Sequence, residues 1–114
     1  MVMNDNLRKQ QHFLHEVEQA IMVANREVIH RDISPITKEM VLGLAVSVSK
    51  VRAVYLKAVL TEASKREAAF SEATIASIRA KREQYEEAVK AFEALRHAIE
   101  RGYVDLADEP AGDA

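Results

Sequence analysis

ITKEMVLGLAVSVSKVRAVYLKAVL, residues 36–60, is the most apolar run of the chain and decides its fold. Within it Val41, Leu44, Val48, Val51, Tyr55, Ala58 and Val59 recur at alternating steps of three and four. That is one face of an α-helix, close to a seven-residue repeat. A second apolar set, Met40, Leu42, Ala45, Val46 and Ala53, widens the stripe beyond one seam. A helix apolar over that much of its circumference is covered from more than one side. Ser34 is a good N-cap and Pro35 suits the first helical position, where the missing N–H has no helical partner to lose. The charge-free run from Met40 to Ser49 is about half of the roughly twenty residues a bilayer crossing needs, which argues against a membrane span. Gly43, Ala45, Ser47 and Ser49 are small and permit close approach of another helix. This central helix is therefore expected either to fill the core of one chain or to lend part of its face, Met40, Val41, Leu44, Val48, Val51 and Tyr55, to a subunit interface.

Working outward, Leu7, Leu14, Ile21 and Val28 are spaced by sevens, with Val17 and Ala24 between them and Phe13 and Ala20 beside them. They predict a first amphipathic helix over Asn6–His30, capped by Asp5 or Asn6. The residue before a proline is pushed out of helical geometry, so the chain breaks at His30–Pro35 and the second helix folds back antiparallel. Extending the second seam by sevens reaches Lys65, Ala69 and Glu72, whereas the later seam uses Ile75, Ile78, Tyr85, Val89, Phe92 and Ile99. The stripe slips or stops. A stop is favoured, because Ser71 can cap, Glu72 suits the positive end of a helix, and Phe70 and Ile75 are spaced as a hydrophobic staple. The alternative is one continuous helix over 35–101, a rod of about 100 Å that buries its stripe only by dimerising. Gly102 follows the third helix as a natural C′ residue, with Arg96, His97 and Arg101 in the last turns. Tyr103, Val104 and Leu106 are expected to dock, and residues 108–114 to form a disordered acidic tail.

A chain of 114 residues has room for one ordinary domain, read here as residues 1–107. Its apolar content of 48% and charged content of 30% suit a folded soluble domain, and three Gly and two Pro suit long helices better than a β-sandwich. Having no cysteine removes disulfides, zinc ribbons and thiol nucleophiles together, and is compatible with a reducing cytoplasm. The polar start, Met1 to Gln11, lacks the apolar core of a signal peptide, so a cytoplasmic location is expected. A net charge of −2 gives no general argument for nucleic acid or acidic membrane.

Local charge is less even. Lys50 to Arg82 holds eight basic residues against three acidic, and Lys65, Arg66, Arg79, Lys81 and Arg82 would gather near one tip of a helical hairpin. Such a patch suits phosphate or acidic groups, yet no aromatic or glycine is interleaved and Glu62, Glu67 and Glu72 dilute it. A solvated helix face explains it better, and nucleic acid is disfavoured.

Chemistry is sparse. His12 and His15 lie three apart near Glu16 and Glu18, and Glu27 with His30 reads as Glu-x-x-His, the ligand pair of diiron bundles. Glu27, His30, His12 and His15 are thus the metal candidates, with Glu16, Glu39, Glu62 and Glu86 as further ligands. The pair occurs once and at a helix end, so a homodimer would have to supply the second copy; no cofactor is expected. Neither His15 nor His30 carries the lysine-and-glycine signature of a histidine phosphotransfer domain. No serine sits on a Gly-x-Ser-x-Gly turn, and the isolated glycines form no phosphate loop.

The fold class expected is all-α, an antiparallel three-helix bundle over Asn6–His30, Pro35–Ala69 and Glu72–Arg101, with coiled-coil-like seams completed by oligomerisation. The function expected is non-enzymatic: a self-associating interaction or adaptor protein whose partners are itself and another protein. A metal-binding helical bundle and a weak nucleic-acid or lipid-surface binder are the alternatives.

Overall fold

A computed structural model describes residues 2–65 and 69–108. These form three helices, α1 (Val2–Asp32), α2 (Lys38–Ser64) and α3 (Glu72–Glu100), and no strand. The fold is all-α, in the order read from the sequence. The chain gathers into two compact units, one made of the residues up to Thr37 with those from His97 onward, the other of Lys38–Arg96.

The second unit is an antiparallel hairpin of α2 and α3. Tyr55 stacks on Tyr85 with ring centres 6.1 Å apart, and Arg52 lies 5.3 Å from the centre of the Tyr85 ring while its Nε donates to the Tyr85 hydroxyl at 3.3 Å. Further along α2, Ala58 and Thr61 share a cleft with Ile78 and Thr74, so positions rise on one helix as they fall on the other. The seam behind this pairing is the one the periodicity marks. Val48 is buried, and Val41, Leu44, Val51, Tyr55, Ala58 and Val59 are half-buried. On α3, Ile78, Tyr85, Val89 and Phe92 answer them, while Ile75 stays exposed.

The helices separate at Ser64, which rules out the 100 Å rod. Ser64 turns its hydroxyl onto the Thr61 carbonyl at 2.7 Å, and the Lys65 amide donates to the Glu62 carbonyl, tightening the last turn. On the far side, the Ser71 hydroxyl accepts from the Thr74 amide at 3.1 Å, the cap the sequence led us to expect. Replacing Ser71 by alanine is expected to cost about 1 kcal/mol of hairpin stability, read as a lower melting midpoint with the helix content of the folded state unchanged. Arg66 and Glu67 lie outside the described residues, as do 109–114 of the expected acidic tail.

Three expected helix boundaries move. α1 begins at Val2, ahead of the Asp5 and Asn6 cap, because nothing before them breaks a helix; Asp5 sits in its first turn, where an acid is favoured. α2 begins at Lys38, three residues beyond Pro35, and also stops five short of Ala69. The expected cap at Ser34 and helical start at Pro35 are lost to a distant claim on Ile36. Its amide donates to the Asp105 carbonyl and its carbonyl accepts from the Ala107 amide, both at 2.8 Å, as an isolated parallel bridge with Leu106. A backbone held extended there cannot turn helical until Thr37, which takes the N-cap position instead.

The segment that reaches Ile36 is aimed by the end of α3. Gly102 adopts φ +72°, the Gly102 amide donates to the Ile99 carbonyl and the Tyr103 amide to the Ala98 carbonyl. This is the Schellman closure that a C′ glycine makes possible. Val104 is then buried together with Ile36, Tyr103 sets its ring edge-on to His97, and Leu106, expected to dock, stays exposed. Asp105 ties the segment to α1, accepting from Arg26 at 2.6 Å and pairing with His30 at 2.9 Å, while Arg26 also donates to the Gly102 carbonyl.

Candidate interaction surface

With one side of α2 committed to α3, its other side carries a second heptad stripe. Leu42, Val46, Ser49, Ala53, Leu56 and Leu60 follow one another at steps of four, three, four, three and four, and all are exposed. Leu42 and Leu60 keep 62% and 69% of their surface open. Covering a leucine of this kind fully is worth roughly 1.5–3 kcal/mol, so the face is a strong candidate for contact. Its rim is basic. Lys50 and Lys57 follow Ser49 and Leu56 directly, and α2 has no acid between Glu39 and Glu62. Beside the stripe, a Cβ added at Gly43 would meet nothing within 4 Å.

α1 offers a matching apolar stripe. Leu7, Leu14, Ile21 and Val28, with Phe13 alongside, are all more than half exposed. The half-buried positions of α1 are Met22, Asn25 and Ile29, with Val17 the one half-buried member of the stripe itself.

Of the six residues named from the sequence as an interface, only Met40 is exposed; Val41, Leu44, Val51 and Tyr55 are half-buried and Val48 is buried. The continuous outer stripe was half visible in the sequence, as Leu42, Val46 and Ala53. Leu56 and Leu60 complete it once the side facing α3 is known.

The basic cluster is partly engaged locally. Lys65 pairs with Glu62 at 3.0 Å, Arg82 with Glu86 at 3.5 Å, and Lys81 donates to the Ser77 hydroxyl at 2.8 Å. Arg79 is exposed, and Arg66 lies outside the described residues. The histidines are likewise apart. His12 meets Glu16 one turn on, His15 and Glu27 are exposed, and His30 turns to Asp105. Among the described residues no three His, Asp or Glu side chains gather as metal ligands would. The Arg26–Asp105–His30 cluster escaped the sequence, because Asp105 reads there as one more acid of the C-terminal segment.

Set against models of known protein families, characterised proteins and solved structures, the chain matches none. Among the described residues no helix is long and apolar enough to cross a membrane.

Proposed function

We propose that this chain is a non-enzymatic, cytoplasmic helical interaction protein that self-associates and offers a helical surface to a further protein. One observation carries the reading: α2 is apolar on two opposed faces, and α3 occupies only one of them. The mechanism is the docking of an amphipathic helix through anchors at i, i+3, i+4 and i+7, with Leu42, Val46, Leu56 and Leu60 as the anchors on this side. An exposed apolar strip of such length, rimmed by Lys50 and Lys57, is what an interaction surface needs and what a solitary chain avoids.

Light scattering on the size-exclusion peak, over a series of concentrations, tests the reading directly. A mass of two chains or more at micromolar concentration is expected. A single-chain mass that persists to the highest concentration overturns the proposal.

A further inference from the structure

We infer that the cover on the outer stripe of α2 is α1 of a second copy, lying antiparallel, with the two copies exchanging α1 reciprocally. The inference rests on the self-association just proposed and names its contact. Within one copy both stripes stand open, Leu14 at 56% and Leu56 at 49%, with Val17 alone half-buried among the paired positions. Their spacings interlock. With Val28 set opposite Leu42, each step back along α1 meets an equal step forward along α2: Ala24 with Val46, Ile21 with Ser49, Val17 with Ala53, Leu14 with Leu56.

Size decides this register. Ala24 faces a larger valine, and the small Ser49 and Ala53 face Ile21 and Val17, so large and small alternate across the seam as a packed layer requires. Sliding α1 by one heptad toward the end of α2 would set Ala24 against Ala53 and Val28 against Ser49, leaving voids, and would bare Leu42; sliding it the other way would set the polar Gln10 against Ala53 in the middle of the seam. Charge decides the direction. The antiparallel pairing brings Glu18, just after Val17 on the α1 flank, to Lys50, just after Ser49 on the α2 flank. A parallel pairing with Leu14 at Val46 puts Phe13 and Ala20, not an acid, beside Lys50 and Lys57. A two-fold axis then repeats the contact, so that each copy covers the stripe from Leu42 to Leu56, with Gln10 falling opposite Leu60 at its end.

The chain has no cysteine, which makes a disulfide test clean. Chains carrying Ile21→Cys and Ser49→Cys are mixed, oxidised and run without reductant. The heterodimer is expected about tenfold above that formed by Ile21→Cys with Leu42→Cys, which lies one heptad away. In a doubly substituted chain the bond is expected between chains. If either variant loses helicity by circular dichroism, Val17→Cys with Ala53→Cys puts the same question one turn along. A doubly substituted chain that closes on itself as a monomer overturns the exchange. Light scattering that gives a dimer with no preference among the cysteine pairs overturns this inference and leaves self-association standing, whereas a monomer removes both.

Discussion

Val48→Asp is expected to unfold the α2–α3 hairpin. Val48 is the one buried side chain of α2, 8% exposed, at the middle of the seam that meets α3. The substitution removes about 2 kcal/mol of apolar burial and places a carboxylate where it has no partner, a change that costs several kcal/mol more. Domains of this size are stable by only about 5–15 kcal/mol, so the sum takes most of what holds the hairpin. The expected readout is loss of most of the helical signal at 25 °C and of the cooperative thermal transition. Val48→Ala serves as the graded control, with a loss of about 2 kcal/mol and a lower but still cooperative melt. Full helicity and an unshifted melt in Val48→Asp would place that side chain in water and undo the account of the hairpin.

The contrast between Val48 and Leu42 also shows where reading residues alone runs out. Periodicity located both apolar sets on α2, since each is a matter of steps along one helix. Which set faces α3 depends on pairing across the hairpin, where Tyr55 meets Tyr85, and nothing in α2 alone states it. Local stop signals were legible for the same reason that the seams were. Ser71 and Gly102 act on amides and carbonyls within a few residues of themselves, so their chemistry shows in a short window. Pro35 misled because the competing influence is remote. Ile36 is drawn into extended backbone by Asp105 and Ala107, about seventy positions later, and a favourable first-turn residue yields to two backbone hydrogen bonds and the burial of Ile36 with Val104. Asp105 itself drew no notice among the neighbouring acids, and its role is set by where Gly102 aims the chain.

Leu42→Glu combined with Leu56→Glu is expected to give a folded single chain. Both residues sit on the outer stripe, so each carboxylate stays in water in one copy and disturbs neither the Tyr55–Tyr85 stack nor the Val48 seam. Helix content and the cooperative melt of the hairpin should therefore survive. Association should not, because each contact loses two leucines worth roughly 1.5–3 kcal/mol apiece. Those are values for full burial; with about half of each side chain still open in one copy, and a reciprocal dimer carrying the contact twice, the total loss is about 3–7 kcal/mol, or at least about two powers of ten in the dissociation constant. Sedimentation or light scattering across a concentration series reads that shift as a dimer turned monomer at micromolar protein. Lys50→Glu separates charge from oil: it keeps the leucines, reverses the pair with Glu18, and should weaken association by a far smaller factor that shrinks further in high salt. An unaltered dimer in the double leucine variant would mean that α2 meets its neighbours by some other face, and the outer stripe would lose its place at the centre of this protein's chemistry.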